Sequence, residues 1–195
     1  MKRTLFTILT AGMVSAAALT GAALASGSDQ AEIALFLKAQ HDAAAAITAA
    51  EAASGGKAVE ADFDGEDGAG IWEIKTVAGT KRAEINIDAG TGQVVKTEDK
   101  GDVADKDDAV TPDMLGGTLV DLVARAEAAD GGKVMAIEAD YENGQFRGME
   151  VEIVKADGSV HDFILNPADG KLTPVVKGHD TDHDGDNDES AKSNG

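Results

Sequence analysis

The stretch AEAASGGKAVEADFD, residues 50–64, returns as AEAADGGKVMAIEADYE, residues 126–142, two residues longer. A repeat of this kind decides the architecture before any single element is assigned. Downstream, IWEIKTVAGTKRAEINIDAGTGQV (71–94) is answered by MEVEIVKADGSVHDFILNPADGKL (149–172). The copies lie roughly 76–79 residues apart, so each is a small domain rather than one turn of a solenoid.

Both copies carry the same order of signals. In the first, Asp29 and Glu32 have the spacing of a capping box, and Ile33, Phe36, Leu37, Ala44 and Ile47 follow at helical intervals until Gly55-Gly56. In the second, Thr111 is placed to cap and Pro112 to open a helix lined by Leu115, Leu119, Leu122 and Ala126, which Gly131-Gly132 ends. Strands follow. Lys57 to Phe63 and Lys133 to Tyr141 read as extended. Trp72 and Ile74, then Ala83, Ile85 and Ile87, alternate with polar residues, as do Met149, Val151 and Ile153, then Phe163 and Leu165. Gly79-Thr80 and Asp157-Gly158 have the composition of two-residue hairpin turns. The expected fold is α+β: two tandem units, each one helix packed on a small antiparallel sheet of three to four strands.

The N-terminus reads as a leader to be removed. Lys2 and Arg3 precede an apolar run from about Leu5 to Leu19, and Ala23-Leu24-Ala25 forms a small-residue cleavage site. No later stretch has the apolar length of about 18 residues that a membrane span needs, so no span is expected after cleavage. The mature chain is expected in a periplasm or outside the cell. It has no cysteine, which excludes disulfides and thiol catalysis. The formal net charge is -19, and the leader takes two bases with it and no acid. Such a chain repels phosphate backbones and anionic lipid, which argues against nucleic-acid binding and favours cations and basic proteins as partners.

The expected organisation is a signal peptide at 1–25, one unit at 26–95, an acidic linker at 96–110, a second unit at 111–176 and an Asp/His-rich tail at 177–195, read as disordered from its charge. The leading helix, the Gly-Gly break, the strands IWEIKT and MEVEIV, and the closing runs INIDAGTGQVV and FILNPADGKLT together resemble the PepSY domain, in two tandem copies. That resemblance implies a non-catalytic exported domain of the sort found in propeptides of secreted metallopeptidases, where it inhibits the peptidase or assists its folding. No peptidase domain and no H-E-x-x-H follow in this chain, so the implied partner is a separate peptidase or another envelope protein.

No catalytic constellation emerges. His41 and His161 are read as ordinary histidines, because His161 and Asp162 point to opposite faces of a strand and cannot orient one another. Trp72 is read as core, and Phe63 and Tyr141 as one core slot used twice. Glu73, Glu84, Glu150 and Glu152 fall on the alternate, outward positions, where a solvated face or a basic partner could receive them. The remaining candidate is HDTDHDGDNDE, residues 179–189: Asp180, Asp182, Asp184, Asp186 and Asp188 follow the D-x-D-x-D-G pattern of a calcium loop. Ala191 stands where the bidentate glutamate belongs, so Ca2+ binding there should be weak. With His179 and His183, a transition metal is the other metal reading of this tail.

Overall fold

The computed structural model describes residues 27–65, 68–105 and 110–175. The leader and the tail lie outside the described residues, as do Asp180, Asp182, Asp184, Asp186 and Asp188. Helix α1 spans Gly27–Phe36 and α2 Ala43–Ser54; strands β1 Lys57–Asp64, β2 Ile71–Ala78, β3 Lys81–Asp88 and β4 Val94–Asp102 follow. Short 3-10 turns at Val103–Asp105 and Pro112–Leu115 lead to α3, Leu119–Asp130, and then β5 Lys133–Glu142, β6 Gln145–Val154, β7 Val160–Leu165 and β8 Leu172–Pro174. A helix followed by four strands thus occurs twice, α2 with β1–β4 and α3 with β5–β8.

Both helix starts differ from the sequence expectation. The first helical pattern is interrupted after Phe36, and Asp42 caps α2 by accepting from the Ala45 N–H at 3.1 Å. Asp29 falls inside α1 rather than ahead of it, and Glu32 accepts from the Gly65 N–H across the molecule. In the second half Thr118, not Thr111, is the cap, and it forms a capping box with Asp121. The physical reason is Gly116-Gly117: Gly116 takes φ 61° and breaks the path between the 3-10 turn and α3. A cap of this kind stabilises its helix by about 1 kcal/mol.

The helix ends agree closely between halves. Gly55 and Gly131 adopt φ 67° and 79°, and each N–H returns to a carbonyl of the last turn, Glu51 O and Glu127 O. The following glycine permits a close approach: a Cβ at Gly56 would lie 2.9 Å from Val77 O, and one at Gly132 2.8 Å from Val154 O. Each helix therefore turns directly onto the hairpin beneath it. Glu51 accepts from the Ala58 N–H at 3.0 Å and from Lys57; Glu127 accepts from the Val134 N–H at 3.3 Å and from Lys133. The repeated glutamate is a clasp between helix end and strand start.

The two small sheets expected from the sequence are one. Eight antiparallel strands run in the order β4-β3-β2-β1-β5-β6-β7-β8, with β1 and β5 paired at the centre through Ala61↔Ile137 and Asp62↔Ala136. Fusion hides two edges that would otherwise expose unpaired backbone. The polar stretch 96–110 is not featureless: β4 runs through it to Asp102 as an edge strand. Its side chains are largely exposed, and an edge strand needs little apolar content.

α2 and α3 lie side by side on one face of the sheet. Between the layers sit Ala43, Ala46, Ile47 and Ala50 from α2, Leu119, Leu122, Val123 and Ala126 from α3, and the inward residues Ala61, Trp72, Ile74, Ile85, Ile87, Ile137, Met149, Val151, Ile153 and Leu165, all buried. Trp72 is fully buried, as expected, and its Nε1 donates to the His41 carbonyl at 2.9 Å. Phe63 and Tyr141 do not share a slot. Phe63 stands opposite Trp72, with Phe36 closing an edge-to-face trio at 5.3–6.1 Å. Tyr141 stands opposite Phe146 in a longer hairpin that turns at Asn143-Gly144, and Ala139, opposite Met149, takes the place of Phe63. The two extra residues of the second copy went into the strand, not into the core.

Candidate protein-binding surface

α2 and α3 pack on one face of the sheet, with Phe36 of α1 against the Phe63 and Trp72 rings on that face, and the register fixes what the other face presents. Residues opposite one another on neighbouring strands share a face, with strands about 4.8 Å apart. One transverse row runs Lys96, Asn86, Glu73, Asp62, Ala136, Glu152, Asp162, from β4 to β7. The adjacent row runs Glu98, Glu84, Lys75, Glu60 in the first half and Glu138, Glu150, Ile164 in the second. Outward placement of Glu73, Glu84, Glu150 and Glu152 thus holds as the alternation indicated.

These two rows are electrostatically different. In the adjacent row Lys75 ion-pairs with Glu60 and reaches Glu138 at 3.7 Å across the β1–β5 junction, while Lys100 pairs with Glu84 at 3.0 Å. Burial opposes the charge on Lys75, yet the hydrogen bond and charge of Glu60, with help from Glu138, hold its pKa above the usual lysine value. In the first row, by contrast, Asp62 stands opposite Glu73, and Glu152 opposite Asp162. Like charges directly opposed are destabilising. Burial, then the charges of Glu138, Glu32, Glu152 and Glu73, push the Asp62 carboxyl up to about 7. Asn86 is 9 % exposed; it donates Nδ2 to Glu73 Oε1 at 3.0 Å, and its carbonyl oxygen has no donor among the described residues.

Sequence reasoning missed Asp62 and Asn86. Alternation alone places both outward, but nothing local shows that Asp62 sits at a junction between halves, hemmed in by acids from both. His41 and His161, the described histidines, both pack within the fold. The His41 ring lies against Gly92 in the β3–β4 turn. His161 turns to Asp130 at the end of α3, Nδ1 to Oδ1 3.3 Å, where Lys155 also binds that carboxylate at 2.7 Å. Burial works against the Asp130 charge, but Lys155 and His161 outweigh it and keep the carboxyl below its ordinary value. Among the described residues no group of three or more histidines and acids is placed to hold a metal ion. None of the described helices is long and apolar enough to cross a membrane.

No curated protein matches the chain. A crystal structure of a "putative lipoprotein" from Clostridium difficile 630 superposes with a TM-score of 0.43 at 14% identity, over 71% of this chain and 93% of that one. The family model described as "Peptidase propeptide and YPEB domain", PepSY, matches residues 42–98. That span holds the α2 cap, the Glu51 clasp, β1 to β3, Lys75, Asp62 and the first residues of β4. The first half of the protein, over residues 42–98, is thus similar to the PepSY domain.

Proposed function

We propose that the chain is an exported, non-catalytic protein-binding module that modulates a separate peptidase or another envelope protein. The observation that carries this reading is the PepSY match at 42–98 joined to a sheet on which α2 and α3 pack on one face, so that among the described residues neither of them covers the other face. A two-layer fold ordinarily exposes one sheet face, but here that face holds buried charge and an orphan amide oxygen rather than plain solvated side chains. The cleavable leader at 1–25 supports export to the periplasm or beyond. We read residues 26–95 and 111–176 as tandem copies of one unit: clasp, double glycine and hairpin recur in both, and fusion through β1 and β5 doubles the binding face. The test is hydrolysis of a small fluorogenic peptide by secreted metallopeptidases with and without the mature chain. The expected outcome is a saturable change in rate with a stable complex on gel filtration. Unchanged rates across the panel and no complex would overturn the peptidase reading.

A second reading is carried by the D-x-D-x-D-G spacing at Asp180, Asp182, Asp184, Asp186 and Asp188: weak binding of Ca2+, or of a transition metal with His179 and His183, by the tail. Calorimetry of the chain with and without residues 178–195 tests it. Heat that persists after the truncation refutes a tail site.

A further inference from the structure

We propose that Asn143 is a site of spontaneous deamidation, at which the Gly144 nitrogen attacks the Asn143 side-chain amide whenever the tip of the β5–β6 hairpin opens. The tip is a ribbon without neighbours. β5 pairs with β1 only through Ala136 and Ile137, and β6 pairs with β7 only from Met149 onward, so among the described residues Tyr141 to Arg147 have no third strand beside them. A two-stranded ribbon is marginally stable by itself. A register shift between Asp140 and Tyr141 sets the tip apart from the rest of the ladder. What holds it shut is the edge-to-face contact of Tyr141 with Phe146, ring centroids 5.7 Å apart, and Arg147, whose Nε lies 3.3 Å from Asp140 and whose Nη1 lies 3.2 Å from Glu142. Contacts of this kind are individually weak, and segments so thinly held open locally while the rest of the fold stays intact.

At the turn Asn143 takes φ 53° and Gly144 φ 74°, and Asn143 is the one non-glycine among the described residues at positive φ. Both are exposed, and a Cβ on Gly144 would meet nothing within 4 Å. With no side chain of its own, Gly144 leaves its nitrogen unshielded. Attack on the Asn143 side-chain carbonyl carbon forms an N–Cγ bond and expels ammonia, which takes the Gly144 N–H proton with it, and a succinimide ring closes. Water then cleaves one of the two ring C–N bonds, leaving aspartate or isoaspartate. Ring closure swings the Asn143–Gly144 peptide out of its place in the two-residue turn, which is why the tip must open first. The other described asparagines each lack a requirement. Asn86 is 9 % exposed inside β3 and precedes the branched Ile87, while Asn166 precedes Pro167, whose nitrogen carries no hydrogen. At the described Asp-Gly steps, such as Asp157-Gly158, the nitrogen would have to attack a carboxylate anion. Either product adds a negative charge beside Glu142, and isoaspartate also lengthens a turn whose length sets the hairpin register.

The test is a peptide map of the mature full-length chain after incubation in mildly alkaline buffer, folded and in urea, with isoaspartate read by mass spectrometry and by isoaspartyl methyltransferase labelling. The map also separates Asn187 and Asn194, which lie outside the described residues. The folded chain is expected to deamidate at Asn143 within about tenfold of the urea-unfolded rate, giving both products, while the Asn86 peptide stays unchanged. Arg147→Ala, which removes both ion pairs, should speed the folded reaction about threefold, and Asn143→Gln should abolish it. An Asn143 peptide that stays intact in the folded chain while reacting in urea would overturn the proposal, as would aspartate formed without isoaspartate. Equal rates for the wild type and an Arg147→Ala variant with unchanged circular dichroism would overturn the control by tip opening. The folded-against-urea comparison needs only the wild type and decides the site even where that variant fails to fold.

Discussion

Where the first half places Lys75 between Glu84 and Glu60, the second half places Glu152 between Asp162 and Ala136. The inward residues one step along the same strands barely change in character: Ile74 and Ile85 are matched by Val151 and Phe163, all buried. The clasp is kept almost atom for atom, with Glu51 and Glu127 each binding the first strand's N–H and lysine. The two halves therefore agree at these inward positions and at the clasp, and differ in charge on the open face. Charge on that face differs while this inward set beneath it is kept.

One inward difference is large. Trp72 and Phe63 in the first half face Met149 and Ala139 in the second, and α1 brings Phe36 only to the first. Trp72→Ala should therefore cost about 4 kcal/mol in urea unfolding, from lost contact and cavity together, and unpair the His41 carbonyl. Met149→Ala should cost about 2–3 kcal/mol, since it has no ring packing to lose. Equal costs would mean that the aromatic trio adds nothing beyond area and would break the contrast.

The open face gives the next largest effect, and its sign is unusual for a carboxylate. The Asp62 pKa rises from 3.8 to about 7 on folding, so the folded state binds the extra proton between those values. Stability from this group is then complete below about pH 4 and is lost as pH rises toward 7. Asp62→Asn should equal the wild type at pH 4 and exceed it at pH 8 by about 1–2 kcal/mol, a figure reduced for the solvent that still screens the group. Thermal unfolding across that range reads it, and a variant that loses stability at pH 8 would show that the Asp62 charge is welcome where it sits.

Much of this was legible beforehand, and the gaps have physical causes. Alternation found β2, β3, β6 and β7 and their inward sets, because half-buried strands must alternate. The double glycines marked both helix ends. What escaped was either non-local or compositionally silent. Pairing of β1 with β5 joins residues about 75 positions apart, Ala61 with Ile137, and no local signal encodes it. β4 looked like linker because an edge strand with exposed side chains reads as polar chain. The break between α1 and α2 hid in alanine-rich sequence that favours helix throughout, and only Asp42, a good cap, marked it. The candidate face was half legible: the outward parity of Glu73 and Glu152 follows from alternation, but their neighbours follow only from register.

The clasp offers a sharper test of how alike the halves are. Glu51→Ala and Glu127→Ala each strand a backbone N–H at the start of a strand and take the glutamate from one lysine, although Lys133 keeps Asp42 at 3.5 Å. Each should cost about 1–2 kcal/mol, and the two values should agree within about 0.5 kcal/mol if the halves are equivalent there. A difference above that, read from urea midpoints, would place one half's helix under separate control.

The smallest expected effect is at the end of α3. Ser54 in the first half folds its hydroxyl back onto its own helix, donating to Ala50 O at 2.8 Å. At the equivalent position Asp130 instead reaches out to Lys155 and His161, whose own counterparts in the first half, Ala78 and Ala83, carry no charge. Asp130→Ser thus gives the second half the first half's residue but leaves two basic groups without their carboxylate. Because the Asp130 pKa is lowered on folding, its contribution is present above the unfolded value near 4 and disappears as pH falls through the lower folded value. The variant should be about 1 kcal/mol less stable than the wild type at pH 7, with the gap closing toward pH 3. A gap that persists unchanged at pH 3 would mean that Asp130 acts through packing, and the charge cluster would then be no distinction between the halves at all.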